Sequence, residues 1–577
     1  MKNLIRLIFI CGLILVSFSI KLKACTSYLV TKGASFDGST MISYAADSHI
    51  RYGELYWHQG GDWPAGTMIT LYDRGTNKAL GQIPQASKTY KVVGFLNEFQ
   101  VSMGETTFGG REELYDTTGI VDYGSLMFLA LQRSKNAREA IKTIIQLTKE
   151  YGYASSGESF SIADQNEVWI MEIIGKGTEM VYDKKLKKYF NKNKGIVFVA
   201  IKIPDGYVSA HANHSRITKF PLRDGIKSIT SEDLDKIFNP EVEVVYAYDV
   251  IEFARSKGFF NGKDEEFSFS DAYAPMNFEA ARFCELRVWA FFNRINSEMN
   301  KYWDIACGND LTQRLPLYIK PDKKLKVSDL FAAKRDYLQG TELDMSKDAG
   351  AGPFGLPYRW RPLTWKFNDK EYFNERVTVT QQTGFSFVSQ MRNWLPDEIG
   401  GIYWFGVDDA GSCVYVPFYC GITRPAKKWA QDYGSILKYV DDAAFWVFNR
   451  VAHFKYLFYD RVQPEIENQQ QMLEQKFFDY QPAIEIAALE LFKNDPRKAK
   501  EFLTDYSCNM ADNVVDYWNE FGNFLMVKYL DGNVKHEMDG KFIENGYGYP
   551  KAPMFPGYPP QWKEDVVNKT GDKFILK

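Results

Sequence analysis

The sequence predicts an α+β protein built from layered, largely antiparallel sheets, with a helical unit at its C-terminal end. Three observations carry this expectation. Period-two runs flank one amphipathic helix in the first two hundred residues, alternation returns near residue 376, and from about 434 the pattern is helical. Strands, then helices, then strands is the order of packed antiparallel sheets rather than of a βαβ winding. With 577 residues, 45% hydrophobic and 25% charged, the chain can bury more than one core.

The elements follow in order. Lys2 and Arg6 precede the uncharged run "LIFICGLILVSFSI" (7–20), which is too short to span a bilayer, and small Ala24 stands just before Cys25. Residues 1–24 therefore read as a signal peptide, and the mature protein as secreted or periplasmic. "TSYLV" and "STMISYA", separated by the turn signal Phe36-Asp37-Gly38, form a hairpin that begins at Cys25. A third strand region covers 91–108. "NAREAIKTIIQLTKEYG" is a helix with Asn136 as N-cap, Glu139 at the capping-box position and Ile141, Ile144 and Ile145 on one face. "ESFSIAD" and "EVWIMEII" pair across Gln165-Asn166, and "GIVFVAIKIP" adds another strand.

A helix over 277–296 leads into a loop-rich region from about 300 to 370, before "ERVTVTQQTGFSFVSQMR" and "GGIYWFGVDDAGSCVYVPFYCGI" return to sheet. The later helical segments, among them "QQQMLEQKFFDY" and "QPAIEIAALELFK", are punctuated by Pro482 and by Asn494-Asp495-Pro496. The tail "GYGYPKAPMFPGYPPQW" holds too much proline for regular structure and reads as an extended surface segment. The domain boundaries expected are 25–430 for the sheet-bearing domain and 431–577 for the helical extension.

Composition excludes several functions. A net charge of −3 gives no electrostatic footprint for nucleic acid, and no later segment reaches transmembrane length without charges. The 16% aromatic content fits an exported hydrolase or a carbohydrate-facing protein as well as a large core. Six cysteines remain once Cys11 leaves with the leader. They contain no C-x-x-C pair, and Cys413 with Cys420 is the disulfide candidate. His211 and His214 are three apart without a third ligand in a matching motif, so neither a metal nor another cofactor is expected.

The chemistry concentrates at Cys25. A processed N-terminal cysteine carries a thiol of reference pKa about 8.5 and an α-amine of about 7.7 to 8.0, a nucleophile and its base on one residue. Any residue left in front of it would abolish the mechanism. A lipid anchor on Cys25 is the competing use, but lipoproteins want small residues at the two preceding positions, and Lys23 occupies one of them.

The stretch "CTSYLVTKGASFDGSTMISYAADSH" resembles the mature N-terminus of the cysteine N-terminal-nucleophile dipeptidases, the dipeptidase A family, which are related in fold to penicillin V acylases and bile salt hydrolases. "NEFQVSMGETT" (97–107), "SSGESFSIADQNEVWIMEI" (155–173), "IPDGYVSAHANHSRI" (203–217), "GTELDM" (340–345) and "FVSQMRNWLPDEIGGIYWFGVDD" (387–409) extend the resemblance to about residue 425. It implies an αββα sandwich of two antiparallel sheets and hydrolysis of short peptides through an acyl-enzyme, with no cofactor.

Residue by residue, the resemblance makes Cys25 the nucleophile, Asp47 the acid that holds the N-terminal amine, and Asn213 the oxyanion-hole amide, a role typically worth ~3 to 4 kcal/mol. Arg287 is the late active-site arginine, with Arg282, flanked by Glu279 and Glu285, as the alternative. Glu105 lies near the substrate amine. One departure is evident: where the family commonly has "ARNEDS" this chain has "SYAADS", so Tyr44 replaces an arginine beside the nucleophile and substrate and removes a positive charge that favours the thiolate. The same fold also supports N-acyl amide hydrolysis, and a lipid-anchored binding protein is the non-enzyme alternative. Oligomeric state is not legible.

Overall fold

The structure is a computed structural model that describes residues 25–185 and 187–577. The signal peptide expected over 1–24 lies outside the described residues. In chain order the elements that build the core are β1 (Thr26–Val30), β2 (Thr40–Asp47), β3 (Ser102–Gly109), α1 (Tyr123–Arg133), α2 (Ala137–Tyr151), β4 (Gly157–Ala163), β5 (Val168–Gly175), β6 (Ile196–Lys202) and β7 (Val208–His211). They continue with α3 (Leu286–Ile295), α4 (Val327–Lys334), β8 (Thr383–Met391), β9 (Ile402–Val407), β10 (Val416–Tyr419), α5 (Ala444–Leu457), α6 (Tyr459–Asn494) and α7 (Pro496–Lys528).

Two sheets result. The first has seven strands in the order Tyr318–Ile319, β7, β1, β2, β8, β9, β10, every neighbour antiparallel. The second has nine, with β6, β5, β4 and β3 at its centre, and is antiparallel except where Ser228–Thr230 meets Val244–Tyr246. β1 and β2 pack against β3 and β4, α1 and α2 cover the outer face of the second sheet, and α4 to α7 cover that of the first. This is an α+β fold in four layers, αββα. Alternating apolar residues put an inner face on each sheet, and burying both faces against each other drives the sandwich.

Local rules set the elements. α2 starts where the Asn136 side chain accepts the Glu139 N–H at 2.9 Å, and it buries Ile141, Ile144 and Ile145. The β1–β2 hairpin pairs Thr26 with Ala45 and Val30 with Met41. Between β2 and β8 the register skips Gly384, so a bulge sits beside Asp47 at the end of β2.

Three sequence expectations change. α6 is a single helix that runs through Pro464 and Pro482. Proline removes one N–H bond, but Phe477 is fully buried just ahead of Pro482, and Phe478 meets the Trp404 ring at 4.9 Å. That packing outweighs the local preference. The six described cysteines are all free: Cys413 and Cys420 stand at opposite ends of β10 rather than across a strand pair, separated by roughly 20 Å of extended chain. The tail is irregular as far as Pro559 but then forms the helix Pro560–Thr570, with Pro560 in the first turn, where no N–H is required. The helices beyond residue 431 complete the outer layer, with Trp518 fully buried and stacked on Phe448 at 5.2 Å. None of the described helices is long and apolar enough to cross a membrane.

Candidate active site

Cys25 precedes the first residue of β1, with that strand held between β7 and β2. Because side chains alternate along a strand, Ser27 and its cross-strand partner Tyr44 point to the inner face, while Thr26 and Tyr28 point outward toward α3 and α4. The cysteine therefore stands where two environments meet.

On the inner face the neighbour is β3. A Cβ on Gly104 would lie 3.0 Å from the Cβ of Tyr44, so this close approach of the sheets favours glycine. Ser27 donates to the Glu105 carbonyl at 3.4 Å, and the Tyr44 hydroxyl donates to Glu105 Oε1. The Cys25 Sγ lies 3.7 Å from the Tyr44 hydroxyl and 3.9 Å from Glu105 Oε1. Glu105 Oε2 is buried without a hydrogen-bond partner among the described residues.

The outer environment is cationic. Asn213 lies in the loop after β7 in the left-handed region, at φ +65°, which asparagine tolerates. Glu172 of β5 pins that loop by accepting the N–H groups of Arg216 and Ile217 at 2.6 and 3.1 Å and the Ser215 hydroxyl at 2.5 Å. Arg287 enters from α3 immediately after a wide π-helical turn, Ala280–Glu285, and its Nε donates to the Phe283 carbonyl at 2.8 Å. Its two terminal nitrogens donate to the carbonyls of Cys25 (2.6 Å) and Ala212 (2.9 Å), to Thr26 Oγ1 (2.8 Å) and to Asn213 Oδ1 (2.9 Å).

Asn213 Oδ1 also accepts the backbone N–H of Cys25 at 2.7 Å, while its Nδ2 donates to the Thr107 carbonyl at 2.8 Å. A guanidinium only donates, so the atom facing Arg287 must be the oxygen. The amide NH2, the group an oxyanion hole needs, is thus engaged by Thr107. Asp47 Oδ2 accepts from Arg376 at 2.7 Å, and its Oδ1 accepts from the Thr383 hydroxyl at 2.7 Å. The Cys25 nitrogen meets Asn213, and both Asp47 oxygens are taken by these other groups.

Burial pushes the Cys25 thiol well above its usual pKa. Negative Glu105 and Asp47 push the same way, against hydrogen bonds from the Asp47 backbone and Tyr44. The resting group is a protonated thiol. Burial likewise raises Asp47, opposed by Arg376, Thr383, Arg287 and Lys334.

Lys334, at the end of α4, escaped the sequence reading. Its Nζ donates to the Thr26 carbonyl at 2.5 Å and lies 4.4 Å from the Tyr28 ring centroid, and burial lowers its pKa to about 7. Arg376 and Thr383 were also missed, since nothing in their local sequence marks them. Arg282, the alternative to Arg287, pairs instead with Glu375 at 2.5 Å. His211 is held by Thr106 and Ser161 at 2.7 Å each, with burial lowering its pKa to about 3, and His214 meets the Ala274 carbonyl at 3.1 Å. Among the described residues no cluster of three or more His, Cys, Asp or Glu could hold a metal ion.

Above Asp47 opens a cavity of about 700 Å³, walled by Tyr123, Ser155, Arg361 and part of the hairpin formed by Thr364–Phe367 and Lys370–Phe373. A cavity of this volume can enclose a small ligand.

The sequence profile of Peptidase family C69 matches residues 61–472, a span that begins after Cys25, Tyr44 and Asp47. A protein named "Probable dipeptidase" from Latilactobacillus sakei is 24% identical over 422 residues, covering 69% of this chain and 75% of the relative. "Probable dipeptidase B" from Streptococcus pyogenes serotype M1 is 21% identical over 512 residues, covering 85% and 90%. Another "Probable dipeptidase B", from Lactococcus lactis, is 23% identical over 419 residues, covering 69% and 75%. With the profile matched over most of its length, the chain belongs to Peptidase family C69 and is a cysteine-type peptidase.

Proposed function

We propose that this protein is an exported dipeptidase whose nucleophile is the thiol of Cys25, freed as an N-terminal residue when the leader is removed. The observation that carries the reading is the convergence on Cys25: its nitrogen meets Asn213 at 2.7 Å, and its thiol lies 3.9 Å from a buried carboxylate, Glu105. The names of the curated relatives support dipeptides as substrates.

Once the bond before Cys25 is cut, its nitrogen becomes an amine of ordinary pKa about 7.7 to 8.0. Asn213 Oδ1 accepts one of its N–H groups and so turns the lone pair toward Sγ. The amine takes the thiol proton, directly or through one water, as sulfur attacks the scissile carbonyl. It then gives that proton to the leaving amine, and the acyl-enzyme remains. A water activated by the same amine hydrolyses the thioester. Because burial holds the thiol protonated, proton removal has to accompany attack. Arg287 fixes the Cys25 carbonyl, while Asp47 with Arg376 balances charge behind it. Glu105 Oε2, which has no partner among the described residues, is the acceptor for the substrate's own N-terminal ammonium.

Intact mass of the mature protein together with a dipeptide assay tests the reading. The expected result is an N-terminus at Cys25 with a free amine, turnover of dipeptides, and a folded Cys25→Ala variant at least about a thousand-fold less active. Diacylglycerol on Cys25, or an alanine variant with full activity, would overturn it.

A further inference from the structure

We propose that Arg361 is the recognition site for the substrate's α-carboxylate, which restricts this peptidase to peptides whose free C-terminus lies one residue beyond the scissile bond. The inference rests on the dipeptidase reading and names a specificity group in the cavity that Asp47 borders.

Arg361 lines the large cavity next to Asp47 and is half-buried. Among the described residues it forms no ion pair and no side-chain hydrogen bond, and its Nη2 is buried with no partner at all. The other arginines of the site are engaged: Arg287 with Cys25 and Asn213, Arg376 with Asp47, Arg282 with Glu375. A guanidinium whose buried Nη2 has lost water without gaining an acceptor is costly to keep in a cavity wall. A carboxylate filling both arms of the fork repays that cost through a charge-assisted, bidentate pair.

The charges around it narrow the choice of ligand. The cavity is also bordered by Asp47, Asp73, Glu279 and Glu371. Asp47 is already saturated by Arg376 and Thr383, and Asp73 accepts from Thr76. His49 is held below its ordinary pKa by burial and by Arg361, so it is neutral near pH 7. Arg361 is then the one permanent cation among the described lining residues, in a cavity otherwise acidic. A ligand with an ammonium at one end and a carboxylate at the other matches this distribution, with the carboxylate directed to Arg361. A blocked or internal residue there would leave the guanidinium unpaired.

The test separates binding from chemistry. Mature chain carrying Cys25→Ala is titrated calorimetrically with leucyl-leucine and with leucyl-leucinamide. The acid is expected to bind at least ten-fold tighter than the amide. Arg361→Met should remove that difference, and Arg361→Lys, which keeps the charge but loses the fork, should keep part of it. Equal binding of acid and amide by the parent, or an undiminished preference in Arg361→Met, would overturn the proposal. If the acid preference depends on Arg361 while protein retaining Cys25 hydrolyses neither compound, the carboxylate site stands and the dipeptidase reading falls.

Discussion

Arg287 and Asn213 meet side chain to side chain in the buried interior, Nη2 to Oδ1 at 2.9 Å, and the same Oδ1 receives the Cys25 nitrogen at 2.7 Å. The arginine thereby dictates which end of the amide faces the Cys25 nitrogen. Arg287→Lys should lose this control, because a single ammonium cannot reach the Cys25, Ala212 and Asn213 oxygens together. We expect kcat/KM on a dipeptide to fall at least about a hundred-fold and stability to fall by about 2 kcal/mol. Steady-state kinetics and urea unfolding would check both, and a lysine variant of unchanged activity would count against the arrangement.

Tyr44 is where this chain departs from its family resemblance. Tyr44→Arg restores a cation beside a thiol that burial, Glu105 and Asp47 all disfavour ionising. The inflection in the pH dependence of iodoacetamide alkylation at Cys25 should therefore move to lower pH. An unchanged inflection would show that the charge of the new arginine does not act on the thiol, and would refute this.

Lys334 makes stability depend on pH in the alkaline range. Its folded pKa is lowered to about 7, against about 10.4 when unfolded, so between those values the unfolded chain binds more protons. The cost of burying its charge is fully present below about pH 7 and is relieved as pH rises toward 10. Relative to Lys334→Met, the native protein should gain a few kcal/mol between pH 7 and pH 10, read by urea unfolding at each pH. A constant difference between the two proteins would refute this.

Asp408 behaves in the opposite sense. Burial, with Asp409 beside it, raises its pKa to about 7, and its Oδ2 has no partner among the described residues. Below about pH 4 the carboxyl is protonated in both states and carries no ionisation cost. That cost grows as pH rises to 7 and persists above it. Asp408→Asn keeps an acceptor for the Asn449 side chain, which now bonds Oδ1 at 2.9 Å. The variant should be more stable than the native protein at pH 8, by on the order of 1 to 4 kcal/mol, and converge with it near pH 4. Thermal melts at the two pH values decide the matter.

Periodicity made the sheets and α2 legible, because alternation and a capping box are local signals that tertiary packing reinforced. The unbroken α6 was not legible. Pro482 is a local breaker, and only the distant contact between Phe478 and Trp404 shows why it is overridden. Within the site, Cys25 stood out because it follows a leader-like segment, and Asn213 and Arg287 emerged through resemblance. Lys334 and Arg376 carry no local mark: each acquires meaning from a strand some 300 residues away, through the Thr26 carbonyl and Asp47. The bond from Arg287 to Asn213 was equally out of reach, since 74 residues and a π-helical turn separate the partners.

Most chains begin at the surface, where a tag or a fusion partner does no harm. In the processing proposed above, this one would begin inside a sheet, at the head of a strand held on both sides by β7 and β2. Joining old ends to make a circular permutant would therefore abolish the reactive amine and require a linker threaded into the interior. Handles for purification, immobilisation or display belong at the opposite end, where Leu576 is 99% exposed.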